Sequence, residues 1–160
     1  DRHGVGFLVR SAGSPEEPAL TMRCLENLIV GDTAEATNVV TDADIRAFAE
    51  VSGDHNTVHL DEAFAQATRF KGRIAHGMLT AAYISALMAA ELPGPGSIYI
   101  SQTLNFKRPV RIGDEVVTRV TVESIDLEKG LATLATTCLV NNKTVLDGQA
   151  VAMPARREAA

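Results

Sequence analysis

The chain has 160 residues and a mass of 17.0 kDa, enough for one hydrophobic core and too little for two. Hydrophobic residues make up 46% of it and charged residues 22%, as in an ordinary globular domain. The formal charge of −5 and the aromatic content of 4% argue against a nucleic-acid binder, which needs a basic surface or stacking aromatic rings.

The two cysteines, Cys24 and Cys138, lie far apart and match no metal-ligand spacing, which predicts a reduced, cytoplasmic protein. The most apolar run, residues 78–92, is too short to span a membrane, so no membrane partner is expected. Residues 11–19 have the composition of a linker. We therefore expect residues 1–21 to be a flexible or artificially added extension, and residues 22–160 to form a single domain.

Helical patterns dominate the first half of that domain. Thr41 followed by Asp44 is typical of a helix N-cap, and Gly53 has the position of a residue that ends this helix. A short helix is predicted over residues 61–68, with Phe64 and Ala67 inward.

The main helix is predicted over residues 77–92. Its apolar and small residues lie nearly all round, which predicts burial on most sides. The Pro-Gly-Pro-Gly run at residues 93–96 ends it.

Strand patterns follow the main helix and are separated by turn-like segments. The four predicted strands cover residues 97–106, 115–126, 131–141 and 144–153, and the residues up to Val40 could supply another. One long apolar helix followed by an antiparallel meander predicts an α+β fold, with the sheet wrapped around the helix.

Two polar clusters could carry chemistry. Asp54 and His59 flank Asn56 in a loop, and a carboxylate and an imidazole that share a water can remove one proton and deliver another. On spacing alone, a solvated turn explains this cluster better. Gly77 begins the apolar helix, where free N–H groups could stabilise an oxyanion, although an ordinary helix-start glycine is an equally good interpretation. His76 beside it is interpreted as a structural histidine bonded to the backbone.

Three further polar residues have two interpretations each. Lys107 and Arg108 could meet the phosphates of a nucleotide-like group, or form a merely solvated basic pair. Ser85 could line a cavity or bond to a carbonyl one turn earlier in its helix.

The two clusters together resemble the MaoC-like (R)-specific enoyl-CoA hydratase family, whose pattern is D-x-N-P-x-H followed by a stretch ending in H-G-M. The likeness covers about residues 24 to 154. The segments that carry it are Asp54-His55-Asn56-Thr57-Val58-His59, Gly72-Arg73-Ile74-Ala75-His76-Gly77-Met78, Leu92-Pro93-Gly94-Pro95-Gly96-Ser97-Ile98-Tyr99, Asn105-Phe106-Lys107-Arg108-Pro109-Val110 and Ile112-Gly113-Asp114-Glu115-Val116.

This resemblance implies a hot-dog fold, a homodimer and a tunnel for an acyl-CoA thioester, with no metal and no cofactor. It implies that Asp54 and His59 are the catalytic dyad and that the Gly77 N–H is the oxyanion donor. Asn56 is expected to support the dyad loop, and the expected substrate contacts are Met78, Ser85, Lys107 and Arg108. Thr57 stands where the family usually has proline, which would stiffen the loop by fixing φ.

The expected reaction is the reversible hydration of a trans-2-enoyl-CoA to an (R)-3-hydroxyacyl-CoA. The alternatives within the fold are a dehydratase acting on acyl-carrier-protein or mesaconyl-type thioesters, and a thioesterase. A thioesterase needs a carboxylate near the helix, and the first turn after Gly77 contains none. A non-catalytic acyl-CoA-binding module would not require the Asp54–His59 pair.

Overall fold

The computed structural model of the protein describes residues 8–9 and 23–157. The described residues contain seven strands, four helices and a short 3₁₀ turn at Leu25–Asn27. The strands are β1 Leu8–Val9, β2 Thr33–Val39, β3 Ile98–Gln102, β4 Asn105–Phe106, β5 Glu115–Asp126, β6 Leu131–Val140 and β7 Lys143–Met153; the helices are α1 Asp42–Ser52, α2 Thr57–Leu60, α3 Glu62–Ala67 and α4 Gly77–Ala90. Most of the proposed extension, residues 1–21, lies outside the described residues, so that assignment stays a prediction.

The strands form one antiparallel sheet in the order β1-β2-β5-β6-β7-β3, with β4 paired to the same strand, β7, as β3. The three longest strands, β5, β6 and β7, were predicted to within one residue at each end. The predicted strand over residues 97–106 is instead divided into β3 and β4. The break lies at residues 103–104, where the Thr103 N–H donates to the Gln149 carbonyl (2.9 Å) and the register against β7 is the same on both sides. The register shift of this segment lies earlier, between Tyr99 and Ser101.

The concave side of the sheet packs on α4, which confirms the predicted α+β arrangement. Buried side chains of this helix, such as Ile84 and Leu87, meet the inward residues of the long strands, such as Val120 and Leu134, in one hydrophobic core. The expected burial on most sides was wrong for a single chain. The sheet covers one face only, and residues on the other face are exposed, among them Met78, Ala82, Ser85, Ala86 and Ala89.

The helices before α4 position the polar loop. The side chain of Thr41 accepts a hydrogen bond from the Asp44 N–H (3.1 Å) and the Asp44 carboxylate accepts one from the Thr41 N–H (3.0 Å), which confirms the predicted cap. Gly53 ends α1 with a left-handed φ of 78°, as predicted. The inward placement of Phe64 and Ala67 was wrong: both are exposed, and Ala65 is the buried residue of α3.

One glycine of β7 permits the close approach of a neighbouring backbone. A Cβ at Gly148 would overlap the carbonyl oxygen of Thr103 and lie 2.7 Å from its carbonyl carbon. The Gln149 N–H also donates to the Thr103 side chain (3.0 Å), so Thr103 is held in this position. Gly148 therefore allows Thr103 to approach β7 closely at the break between β3 and β4.

Within residues 23–157, no helix is both long and apolar enough to cross a membrane.

Candidate active site

A cavity of about 380 Å³ opens beside the first turn of α4. Its walls come from the loop after α1, from the segment before α4 and from the residues between β4 and β5. The lining residues include seven that the sequence singled out as site residues or as their neighbour: Asp54, His59, His76, Gly77, Met78, Lys107 and Arg108. The cavity thus brings together side chains from segments that are far apart in sequence.

The loop between α1 and α2 positions Asp54 by local hydrogen bonds. The Asp54 N–H donates to the side chain of Ser52 (3.1 Å), and one Asp54 carboxylate oxygen, Oδ1, accepts the Asn56 N–H (3.1 Å). Asn56 is the N-cap of α2, where its side chain accepts the Val58 N–H (3.4 Å). The second carboxylate oxygen of Asp54 has no bond in this local network and can take a ligand from the cavity.

His59 is buried on α2 and has its ring orientation fixed. Its Nδ1 lies 2.8 Å from the Ile74 carbonyl, which can only accept, so Nδ1 carries the hydrogen and Nε2 has the lone pair. Burial lowers the pKa of His59, and the neighbouring His76 lowers it further, while the bond to Ile74 and the Asp54 carboxylate oppose these effects. A neutral imidazole with a free nitrogen is the form that can accept a proton at neutral pH.

His76 lies directly before α4 and bonds to the backbone, as predicted. Its Nε2 is 2.9 Å from the Asp54 carbonyl, and its ring stacks on the ring of His59 with centroids 3.9 Å apart. One carboxylate oxygen of Asp54 and one nitrogen of each histidine lie within 4.8 Å of one another, a grouping that a cation could use. Each histidine donates one ring N–H to a backbone carbonyl, which leaves the other nitrogen of each neutral ring with a lone pair beside the Asp54 carboxylate. Such lone pairs can also accept a proton.

Gly77 is the first residue of α4, where N–H groups have no partner inside the helix. His76, at the N-cap, makes no side-chain cap bond, so its side chain leaves those N–H groups open to a ligand. A Cβ at Gly77 would lie 2.6 Å from a ring carbon of Phe106, so the absent side chain lets this ring cover the helix start. Sequence reasoning missed Phe106 as a wall of the site, although it directly precedes Lys107 and Arg108 in a motif it quoted.

Three cations border the cavity: Lys107, Arg108 and Arg69, the last of which sequence reasoning also missed. The guanidinium of Arg108 donates to the Thr144 carbonyl (2.6 Å), which limits its movement. Ser85 is not among the residues that line the cavity, and it is exposed on the far face of α4. Its assignment to an acyl pocket stays a prediction.

Thr57 occupies the first position of α2. Proline is favoured at that position, because the N–H it lacks would have no partner inside the helix. The preceding residue, Asn56, has φ −56° and ψ 127°, which is the extended conformation that a following proline requires. The backbone is therefore already compatible with the residue that the family usually has here.

We expect Thr57→Pro to stabilise the protein by about 0.4–1 kcal/mol, since it restricts the unfolded chain and breaks no bond of the helix. The melting temperature, measured by calorimetry, should rise by about 1–4 °C. Val58→Pro is the matched control: the Val58 N–H donates to Asn56, so this proline should lower the melting temperature. A Thr57→Pro protein that melts below the wild type would contradict the prediction.

The cavity brings together three functional groups: a carboxylate with one oxygen available, an imidazole with a free nitrogen, and the open start of a helix. Together they can deprotonate a bound water, return a proton to a carbon atom and stabilise negative charge on a carbonyl oxygen.

Comparisons with known proteins agree with this picture. Residues 30–144 match the model of the MaoC like domain. The chain is 48% identical to a 3-hydroxybutyryl-CoA dehydratase of Methylorubrum extorquens, over 89% of this chain and 91% of the relative. It is 47% identical to an (R)-specific enoyl-CoA hydratase of Rhodospirillum rubrum, over 86% of this chain and 96% of that protein.

Solved structures give the same result for the fold. The unliganded R-hydratase PhaJ1 of Pseudomonas aeruginosa superposes with a TM-score of 0.80 at 45% identity, covering 86% of this chain and 92% of that one. The (R)-hydratase of Aeromonas caviae involved in PHA biosynthesis superposes with a TM-score of 0.79 at 42% identity, covering 81% and 98%. These likenesses confirm the predicted hot-dog fold, and the chain belongs to the MaoC-like domain family.

Proposed function

We propose that this protein catalyses the reversible addition of water to a trans-2-enoyl-CoA, giving an (R)-3-hydroxyacyl-CoA. The observation that carries the proposal is that the Asp54 carboxylate, the His59 imidazole and the open start of α4 at Gly77 border one cavity. The names of its relatives, a hydratase and a dehydratase, describe the two directions of this kind of reaction.

The Asp54–His59 dyad carries out the proton transfers. A water held between Asp54 and His59 attacks C3 while the dyad takes one of its protons, and the electrons of the C2–C3 double bond move into the thioester. The dyad then returns a proton to C2 and ends the cycle in its starting state. The free Nε2 of His59 and the lowered pKa of its imidazole support its part in this step, because a neutral ring can accept a proton.

The negative charge that develops on the thioester oxygen needs a donor aimed at it. The N–H of Gly77 lies in the first turn of α4, where the helix dipole also favours negative charge. An oxyanion donor of this kind contributes about 2.7–4 kcal/mol to the stability of a transition state. Phe106, packed over Gly77, would keep bulk water from this oxygen.

The coenzyme A carrier has phosphates, and the border of the cavity has cations. We assign phosphate binding to Lys107 and Arg108 and add Arg69, because all three line the same cavity. Met78, exposed beside them, provides an apolar contact for the thioester arm.

Mixing the purified protein with crotonyl-CoA tests the proposed function. We expect the enoyl absorbance to fall and chiral analysis to identify the (R)-3-hydroxy product. A protein that binds crotonyl-CoA without loss of absorbance would be a binding module, and one that releases free coenzyme A would be a thioesterase. Either result would overturn the proposal.

We also propose that two copies of the chain associate. β3 ends the sheet, and the strand exposes Ile98, Tyr99 and Ile100, while the uncovered face of α4 adds further apolar surface. An open, apolar edge strand is a template for pairing with another strand, and a second β3 related by twofold symmetry would satisfy it. Sedimentation equilibrium should give a mass of twice 17.0 kDa; a monomer at micromolar concentration would refute this arrangement.

We place the protein in the cytoplasm, as the cysteine content predicts. Cys138 is a buried thiol rather than half of a disulfide, as is usual in reducing compartments. Burial raises its pKa to about 11, which keeps the thiol unreactive. Fractionation of the source cells, with activity followed in each fraction, would test this location.

A further inference from the structure

The segment that carries Asp54 is exposed and has few supports of its own. Residues 50–57 are all exposed, and the bonds of Asp54 to Ser52 and Asn56 stay within that segment. A carboxylate on such a loop keeps a productive geometry only if a rigid part of the fold holds the loop in place.

Residues 73–76 supply that support. The Arg73 side chain donates to the His59 carbonyl (2.7 Å), and the Ile74 N–H donates to the Val58 carbonyl (3.4 Å). The Ile74 carbonyl in turn accepts the Nδ1–H of His59. These bonds hold the histidine half of the dyad, whereas the bond that reaches Asp54 comes from His76.

His76 contacts both halves of the dyad at once. Its side chain is 1% exposed, with Phe48 on one side (ring centroids 4.9 Å apart) and His59 stacked on it at an interplanar angle of 30°. Because Nε2 donates to the Asp54 carbonyl, Nδ1 has no hydrogen in the neutral ring, and within the described residues Nδ1 is buried without a partner.

His76 also occupies the N-cap position of α4. N-cap residues usually have short oxygen-bearing side chains that bond to the first turn of the helix. The side chain of His76 makes no such bond and is directed to Asp54 instead. One residue therefore leaves the helix start open at Gly77 and connects that start to the dyad.

We propose that His76 is a positioning residue for the hydration reaction: its hydrogen bond fixes the main chain of Asp54, and its ring fixes the plane of the His59 imidazole. The inference rests on the proposed function. His76 acts through the dyad and does not itself transfer a proton to the substrate.

Two variants separate the two contacts. His76→Phe keeps a flat ring against His59 and removes the donor to Asp54. His76→Gln places an amide N–H near the position of Nε2, so it keeps the donor and removes the ring. We expect His76→Phe to lower kcat for crotonyl-CoA by about 10²-fold with little change in KM, and His76→Gln to recover part of that loss, to within about tenfold of the wild type.

The pH dependence provides a readout that a merely structural residue would not change. The ionisable groups around His59 are Asp54 on its own segment, His76 at the start of α4, and Arg73, which bonds to the His59 carbonyl. Burial lowers the pKa of His59, and the neighbouring His76 lowers it further. Both substitutions remove this effect of His76. The acid limb of kcat/KM should therefore move to higher pH in both variants.

The outcomes are distinct. A wild type that does not hydrate crotonyl-CoA overturns the proposed function, and with it this inference. An active wild type with His76→Phe at a similar kcat overturns the inference alone. An equal loss of kcat in both folded variants, with one limb of the residual pH profile lost, makes His76 an acid–base group and also overturns it. If His76→Phe does not fold, NMR titration of His59 in His76→Gln takes its place: an unchanged midpoint contradicts the positioning role.

Discussion

We expect Asp54→Asn and His59→Asn each to lower kcat for enoyl-CoA hydration by about 10²–10⁴-fold, because each removes one partner of the proton transfer. The substitutions are chosen to spare the structure. An asparagine at position 54 keeps an oxygen to accept the Asn56 N–H, and one at position 59 keeps an amide N–H near Nδ1 for the Ile74 carbonyl. KM should change little, since the thioester is bound by other groups. Initial rates on crotonyl-CoA over a concentration series provide the measurement.

His55→Gln is the matched control for this pair. His55 lies between the dyad residues in sequence, but its ring is exposed, and its Nε2 bonds to the Glu50 carboxylate (2.9 Å) outside the cavity. Its rate should stay within about twofold of the wild type, as for surface residues away from the chemistry. Near wild-type rates for Asp54→Asn and His59→Asn would mean that the reaction uses another pair.

The pH dependence follows from the environment of His59. Burial lowers the pKa of this imidazole, so in the free enzyme it becomes protonated only below the usual value of about 6.5. As the pH falls through that lowered pKa, the proton acceptor is lost and kcat/KM declines. The same shift affects stability: below about 6.5 the unfolded chain binds the proton more readily, so the contribution of His59 to stability also decreases.

Gly148→Ala should destabilise the protein by about 3 kcal/mol or more, because the added Cβ would overlap the backbone carbonyl of Thr103. A flexible side chain could turn away, but this carbonyl belongs to a backbone that two hydrogen bonds between Thr103 and Gln149 hold in place. For a chain of this length, such a loss lowers the melting temperature by about 6–12 °C. Thermal unfolding followed by circular dichroism gives the value.

Gly113→Ala separates this overlap from the general effect of replacing a glycine. A Cβ at Gly113 has no neighbour within 4 Å, and its φ of +90° makes the backbone strain the one cost. That strain amounts to about 1–2 kcal/mol. If Gly148→Ala and Gly113→Ala melted at the same temperature, Thr103 would be free to move and its position at the break between β3 and β4 would not depend on Gly148.

Much of the fold follows from local patterns. The N-terminal cap of α1 is formed by Thr41 and Asp44, which are three residues apart in sequence. The long strands are bounded by turn residues that need particular φ values. The start of α4 was predicted because Gly77 begins an apolar run. Each of these features depends on residues that are close in sequence, so a single sequence is sufficient to find it.

The features that were wrong or missed depend on distant residues. Phe64 has the same helical spacing whether it points inward or outward, and only the packing of α3 against the rest of the chain decides that it is exposed. The break between β3 and β4 needs Gly148, more than forty residues further along the chain. Phe106 covers Gly77 because β4 pairs with β7, which no local pattern encodes. For the same reason, the stacked rings of His59 and His76 emerge only when two segments fold together.

The open edge at β3 has a consequence for every variant described above. If the folded state is completed by a second copy, mass action governs it, and each tenfold dilution weakens the assembled form by about 1.4 kcal/mol per dimer. The melting temperature then rises with protein concentration. Enzyme assays are run at high dilution and calorimetry at low dilution, so the two methods observe different populations of the same protein. A substitution on β3, far from the cavity, can therefore resemble the loss of Asp54 in a dilute assay and yet recover its activity when the protein is concentrated.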